Sequence, residues 1–268
     1  MARDCTVLDV ACGEGYGSAL LADSGAKYVL GLDISRQAIG HARNRYQYAN
    51  LSFARADCSR LPVPDGSIDL VVSFETLEHV HQQASMLDEF ARVLAADGKL
   101  LISSPDKRVY SDASGFDNEF HVHELYREEF EQMLGQRFEH VSLYGQKLVF
   151  QSMLWALGGS SGCFRVQAMQ DGVVREQKQP PYDPVYLIAL CSNAERAAPF
   201  VAQTGLSLFG DLEESVYKHY NAEVRHHIES GVAFSAMKKR VAELEAAAVS
   251  TQSATGFQFR RWIKHLFR

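Results

Sequence analysis

Val7-Leu8-Asp9-Val10 runs directly into Ala11-Cys12-Gly13-Glu14-Gly15-Tyr16-Gly17, an apolar strand that ends on three glycines at alternate positions. A short apolar run bounded by glycine reads as a buried strand, the glycines as a tight turn, and Ser18-Ala19-Leu20-Leu21-Ala22 as the start of a helix. Such a unit opens a doubly wound sheet, where ligands sit outside the carboxyl ends of the strands.

The spacing restricts the ligand. A dinucleotide fingerprint, G-x-G-x-x-G, would place its third glycine at position 18, where Ser18 stands. No lysine follows the loop, so the phosphate-cradling G-K-[ST] ending is absent too. Asp9, at the base of the loop, would repel a pyrophosphate but suits a ligand that carries an ammonium and a sulfonium. S-adenosylmethionine carries both and has no phosphate. A purely structural turn is the other reading of the three glycines.

The rest of the first half keeps the same rhythm. Residues 27–33 read as a second strand ending in an acid, and Ser35 caps a helix through about Tyr48. A third strand is expected over 51–57, a loop over 61–66 and a buried fourth strand over 68–74. A helix over 86–94, a turn at Asp97-Gly98 and a fifth strand over 99–103, stopped by Pro105, follow. Strand and helix alternate at βαβ spacing, so the expected fold class is α/β, a doubly wound, mostly parallel Rossmann-like sheet. Beyond Asp106 a polar loop leads to a helix over about 126–134. Residues 140–144 and 185–191 read as two last strands, paired antiparallel. Between them lies an insertion bearing Gly158-Gly159-Ser160-Ser161-Gly162 and Pro180-Pro181-Tyr182-Asp183-Pro184.

Three regions are expected: a cofactor-binding domain over 1–195, a helical extension over 196–250 and a basic aromatic tail over 251–268. Leu212, Val216, Tyr220, Val224 and Ile228 recur at helical spacing, as one long amphipathic helix or two broken near Gly231. That stripe needs an apolar partner, either the chain's own domain or a second copy in a homodimer. The tail, from Phe257 to Arg268, mixes Arg260, Arg261 and Lys264 with Phe259, Trp262, Ile263, Leu266 and Phe267. It reads as a packed or disordered terminus, or as a peripheral membrane contact.

Composition closes off other classes. A net charge of −6, from 27 basic and 33 acidic residues, argues against a general nucleic-acid binder. Five cysteines without a C-x-x-C pair look like reduced cytosolic thiols instead of a disulfide frame or a zinc site. With neither a signal peptide nor a membrane span, the expected location is cytoplasmic, with the inner membrane face as a second location if the tail binds lipid.

Asp33 lies twenty residues after Gly13, at the tip of the second strand, where a carboxylate can accept from both ribose hydroxyls. The other reading is a helix N-cap acid, since Ser35 and a helix follow. Asp57 could accept from an adenine amino group, with the Cys58 N–H reaching a ring nitrogen. VLDVACGEGYGS, GLDIS, ADCSRLPVPDGSIDLVVSFETLEHV and RVLAADGKLLISSPD, in this order, resemble the successive motifs of class I S-adenosylmethionine-dependent methyltransferases. The resemblance covers roughly residues 7–134. It implies that the loop glycines Gly13 and Gly15 line the methionine part, that Asp33 holds the ribose and Asp57 the adenine amine, and that Asp9, Ala11, Cys12, Ile34, Cys58 and Phe74 belong to the same cofactor site. Members of the family usually carry helices before the first strand, whereas only six residues precede Val7 here. The expectation is a truncated chain or a cover supplied by the C-terminal helix.

Glu75-Thr76-Leu77-Glu78-His79 follows the fourth strand at the ligand edge. A helical turn there would put Glu75, Glu78 and His79 on one face. With His121 downstream, the E-x-x-E-H element resembles the magnesium site of small-RNA 2′-O-methyltransferases, and its first half resembles ubiquinone-pathway O-methyltransferases. The resemblance implies Glu75, Glu78, His79 and His121 as ligands of Mg²⁺ or Mn²⁺, the latter tolerating nitrogen better. A metal-free role stays open, in which His79 or His121 is the general base that takes the proton of a hydroxyl acceptor. A purely structural role for the cluster is the third reading.

The tract from Phe120 to Phe130, the strand at 187–191 and the terminal helix resemble methyltransferases found with bacterial surface-polysaccharide enzymes. The expected acceptor is therefore a hydroxyl of a sugar or glycolipid intermediate. A small-molecule O- or N-methyltransferase, an inactive cofactor-binding scaffold and an NAD-dependent oxidoreductase are the alternatives, the last disfavoured by the glycine spacing and Asp9.

Overall fold

A computed structural model describes residues 1–149, 166–170, 173–177, 182–194, 230–231 and 234–240. The chain divides into two compact units, residues 1–203 and 204–268. In the first, the strands are β1 (Thr6–Val10), β2 (Tyr28–Asp33), β3 (Leu51–Arg55), β4 (Ile68–Ser73), β5 (Leu94–Pro105), β6 (His140–Gln146), β7 (Val166–Gln170), β8 (Val173–Gln177) and β9 (Tyr186–Ser192). The helices are α1 (Tyr16–Asp23), α2 (Arg36–Arg45), α3 (Gln83–Val93) and α4 (Arg127–Gly135).

Seven strands form one sheet in the order β3-β2-β1-β4-β5-β9-β6. The pairs among β1 to β5 are parallel, and β9 runs antiparallel between β5 and β6. The expected doubly wound, mostly parallel sheet is therefore present, as is the antiparallel end pair. The period-2 alternation of β-strand side chains divides each strand between two cores. Leu8, Val10, Leu32, Val71, Leu100 and Ile102 pack on one side with Met86, Leu87, Phe90 and Val93 of α3 and with Phe130 and Leu134 of α4. Val7, Val29, Leu70, Val72 and Leu101 pack on the other with Ala22 of α1. Phe90 has no exposed surface, and truncating such a side chain to alanine costs about 3–5 kcal/mol.

Several boundaries differ from the sequence reading. β5 begins at Leu94, not Lys99, because Leu94 pairs with Ile68 and a shift in register absorbs the Asp97-Gly98 turn inside the strand. α3 accordingly spans Gln83–Val93 instead of 86–94. α2 stops at Arg45, short of Tyr48; Ser35 caps it as expected, accepting from the Ala38 N–H at 3.2 Å. The insertion carries a hairpin, β7 paired with β8, which its Gly- and Ser-bearing sequence did not suggest.

Of the second unit, residues 230–231 and 234–240 are helical, with Phe234 and Met237 exposed. The rest of the amphipathic stretch from Leu212 and the whole basic aromatic tail lie outside the described residues. Among the described residues no helix is long and apolar enough to cross a membrane.

Candidate active site

The carboxyl ends of β1, β2 and β3 carry the expected cofactor residues. Past Val10 the chain takes left-handed conformations at Ala11 (φ 60°), Gly13 (φ 54°) and Gly15 (φ 85°). Glycine adopts these freely, whereas Ala11 costs roughly 1–2 kcal/mol. Gly15 is also the N-cap of α1, and a Cβ there would lie 2.7 Å from Phe53 Cζ and 2.8 Å from Ala42 Cβ. A Cβ on Gly13 would meet nothing within 4 Å, so the loop faces open space at that point. The Cys12 N–H donates to the Leu32 carbonyl at 2.9 Å, tying the loop to β2.

Asp33 joins loop to helix. Its Oδ2 accepts from the Gly13 N–H at 2.9 Å and its Oδ1 from the Ser35 N–H at 2.7 Å. Each carboxylate oxygen keeps a second lone pair for a further donor. Asp9 lies deeper: it is 7% exposed and accepts from Ser18 Oγ at 2.5 Å. Burial pushes its carboxyl up to about 6, against the pull of Ser18 and with a smaller push from Asp33. Asp57 follows β3, close to β2 because the Ala56 N–H donates to the Asp33 carbonyl at 3.0 Å. Its Oδ1 accepts from both the N–H and the hydroxyl of Ser59 at 2.8 Å, which holds it below the usual carboxylate range. Cys58 is half-buried, and burial raises its thiol. Ile34 and Phe74, just past β2 and β4, are large apolar side chains left 62% and 47% exposed.

The ends of β4 and β5 carry different chemistry. Glu75 has φ 49° and stands outside the 3₁₀ turn Leu77–His79, so it does not share a helical face with Glu78 and His79 as expected. Its Oε1 accepts from Ser103 Oγ at 2.6 Å, and its N–H donates to the same hydroxyl at 2.9 Å. Desolvation raises the Glu75 carboxyl, against Ser103, His121 and His79. Glu78 is 1% exposed, and neither carboxylate oxygen has a hydrogen-bond partner. Desolvation drives it up to about 8, opposed by its own N–H and reinforced by Glu75 and Glu124.

Beside Glu78 stand two histidines with one ring nitrogen each committed. His79 Nδ1 lies 2.8 Å from the Phe120 carbonyl, 41 residues along the chain. A carbonyl only accepts, so Nδ1 carries the proton and Nε2 presents its lone pair. His121 Nδ1 lies 2.5 Å from Glu124 Oε1, and Ser111 Oγ donates to Glu124 Oε2. The carboxylate fixes the same tautomer in His121. The rings of His79 and His121 meet edge to face at 4.8 Å, with Tyr110 stacked on His121 at 5.1 Å. Glu78 Oε1 and His79 Nε2 are 3.8 Å apart, too far for a hydrogen bond. One donor atom each from Glu78, His79 and His121 fits within 4.8 Å of the others.

Of the four residues expected as metal ligands, three are thus clustered, while Glu75 is bonded to Ser103. Glu124, Ser111, Tyr110 and Ser103 escaped the sequence reading. The His121-x-x-Glu124 spacing was the one available signal. Tyr186, whose hydroxyl is raised by burial and by Glu75, Tyr110 and Glu78, reaches this edge because β9 runs antiparallel and begins here.

Residues 8–102 match the family described as methyltransferase domain. A probable S-adenosylmethionine-dependent methyltransferase of Mycobacterium tuberculosis is 39% identical over 134 residues, 50% of this chain and 47% of that protein. Phosphoethanolamine N-methyltransferase 3 of Arabidopsis thaliana is 30% identical over 122 residues, 41% of this chain and 25% of that one. The chain spans about half the length of the mycobacterial relatives it matches. Among solved structures, a complex of the Haloferax volcanii Trm112 activator with a methyltransferase matches at TM-score 0.54 and 19% identity, over 74% of this chain and 86% of that one. A methyltransferase structure from Bacillus halodurans matches at TM-score 0.51 and 16% identity, over 72% and 94%. At these identities the structures speak to the fold alone.

Proposed function

We propose that this chain, whose residues 8–102 match a methyltransferase domain, uses S-adenosylmethionine to transfer a methyl group to a hydroxyl of a small acceptor, a sugar or glycolipid intermediate being the leading class. The observation that carries this reading is the pair of anchored histidines beside an unpartnered, buried Glu78. S-adenosylmethionine supplies an electrophilic methyl on a sulfonium, so the protein must hold the acceptor in line and remove its proton. His79 and His121 each present a fixed Nε2 lone pair for that proton. Their Nδ1 anchors, Phe120 O and Glu124, stabilise the imidazolium that forms.

On the cofactor side the donors and acceptors fit the group. Asp33 would hold the ribose hydroxyls on its free lone pairs and Asp57 the adenine amine, with Ile34 and Phe74 against the flat faces. Ala11, Cys12, Gly13 and Gly15 would line the methionine end, over open space at Gly13. Asp9 would act from beneath the loop, where a nearby ammonium would lower its raised pKa.

The orphaned oxygens of Glu78 also fit a divalent cation, with His79 and His121 completing the donor set and Glu75 beside it. Anchored Nδ1 atoms of this kind commonly support metal-ligating histidines. Mg²⁺ or Mn²⁺ held there would supply a Lewis acid that lowers the acceptor's pKa. The basic tail and the amphipathic stretch from Leu212 are proposed as contacts, with a membrane surface and with a second copy of the chain.

Calorimetric titration with S-adenosylmethionine and NAD⁺, followed by mass detection of methylated products from a cell-envelope extract, tests the reading. Binding of S-adenosylmethionine and a hydroxyl-methylated product is the expected result; product that disappears with EDTA and returns with Mn²⁺ makes the histidines metal ligands instead of bases. Product that survives exhaustive chelation leaves the histidines as metal-free bases. Methylated amines alone would move the acceptor to the class that the Arabidopsis relative is named for, and binding without product would leave a scaffold.

A further inference from the structure

The loop between β3 and β4 is held from outside the cofactor edge. Asp57 bonds only locally, to Ser59, and the Arg60 N–H returns to the Asp57 carbonyl at 3.1 Å. Five residues of this loop, Leu61, Val63, Asp65, Gly66 and Ser67, then meet the far end of α3. Leu61 and Val63 are buried, and the Leu61 N–H donates to Glu89 Oε2 at 2.7 Å. Arg92 donates through Nε to Glu89 Oε1 and through Nη2 to Glu89 Oε2, both at 2.7 Å. Nη2 also reaches the Leu61 carbonyl at 3.1 Å. Nη1 reaches the Val63 carbonyl at 2.9 Å and Asp65 Oδ1 at 2.6 Å. A guanidinium has five N–H donors, and all five are used.

An ordinary surface ion pair contributes little. This arrangement differs because three of the five acceptors belong to one loop and the other two belong to the carboxylate that holds the same loop. The Gly66 and Ser67 N–H groups donate to the Arg92 and Val93 carbonyls at 3.0 and 2.9 Å, which fastens the loop's exit to the same helix end. The entry, at Asp57 and Cys58, is the part left to face a ligand.

We propose that Glu89 and Arg92 are positioning residues for the adenine end of the cofactor: by fixing the Leu61–Asp65 stretch they set the place of Asp57 and Cys58, and so the recognition of the adenine amino group. The inference rests on the reading that Asp57 receives that amine. Lysine cannot replace Arg92, because an ammonium presents three donors at one point and not a planar fork. Glu89→Gln leaves the acceptor for Leu61 but removes the charge and one of the two oxygens that bind Arg92.

The test is calorimetric titration of the full chain with S-adenosylhomocysteine and with S-inosylhomocysteine, which lacks the exocyclic amine. The wild-type protein should prefer the adenine ligand by about tenfold, the scale of one charge-assisted hydrogen bond. Arg92→Lys and Glu89→Gln should reduce that preference to about twofold or less, with little change in affinity for the inosine ligand. A preference kept in both variants overturns the proposal. So does an equal loss of affinity for both ligands, which is what a merely structural role would give. A wild-type protein without the preference, or an Asp57→Ala variant that keeps it, overturns the adenine reading itself and the proposal with it. Arg92→Ala serves as a further variant where its thermal melt stays cooperative.

Discussion

The two halves of the ligand edge are built on opposite principles. At the ends of β1 to β3 each carboxylate already has its donors: Asp33 takes two backbone N–H groups, Asp57 takes Ser59, and Asp9 takes Ser18. At the ends of β4 and β5 the most buried carboxylate, Glu78, has none. Buried polar atoms are nearly always paired, and each exception needs a reason. The difference teaches that the first half is satisfied by the chain's own donors, whereas the second keeps a desolvated acid beside two anchored histidines. Local bonds preorganise the loop after β1; the desolvated acid is what singles out the other half as the proposed place of chemistry.

The comparison breaks most visibly in rate. His121→Ala should lower methyl transfer by about 10²–10⁴-fold, the usual loss of a general base. S-adenosylmethionine affinity, measured by calorimetry, should hold within about twofold. An equal loss of binding would show that the two halves are not separable.

Next in size is the dependence of stability on pH. Glu78 holds its proton more tightly in the fold, at about 8, than in an open chain, at 4.5. The folded state binds the extra proton, so stability should fall as pH rises from about 4.5 to about 8, by a few kcal/mol. Asp9 adds a fall that is complete once pH has passed about 6, so the interval from neutrality to mild alkali isolates Glu78. In chelator-treated protein, Glu78→Gln should flatten that interval in chemical denaturation curves. Parallel profiles for the two proteins would mean that Glu78 is not the desolvated acid.

Asp33→Ala tests the finished half. Loss of the ribose contacts should weaken S-adenosylmethionine binding at least about tenfold, and the Gly13 and Ser35 N–H groups left without their acceptor should cost about 1–3 kcal/mol of stability. A thermal melt identical to wild type would show that the loop does not depend on Asp33. The smallest effect belongs to Ser35→Ala, which removes the α2 cap and should cost about 1 kcal/mol by the same melts, with no change in catalysis.

The half of the edge proposed to hold the cofactor was legible as local structure because its signals are short-range. Glycines at 13 and 15 answer a backbone that demands positive φ, and Ser35 answers the open N-terminus of α2. Asp33 sits where a strand tip must be. Even here the positive φ at Ala11 was invisible, since alanine carries no mark of it. The start of β5 was read five residues late because its first residues are extended by pairing with Ile68, not by their own composition. The C-terminal amphipathic stretch and tail, so prominent in the sequence, fall largely outside the described residues.

What the sequence determined by itself was periodicity and local geometry: alternating apolar strands, amphipathic helices and a glycine turn are enough to specify a doubly wound sheet with its ligand edge at the carboxyl ends. Tertiary structure alone decided which side chains meet there. Glu75 and Glu78 are equally acidic and three residues apart, yet one finds Ser103 from β5 and the other is sealed without a donor. His79 acquires its tautomer from a carbonyl 41 residues away, and His121 from Glu124. The reason is physical: desolvation and hydrogen-bond partnership are properties of a packed neighbourhood, and no residue carries its neighbourhood in its own letter.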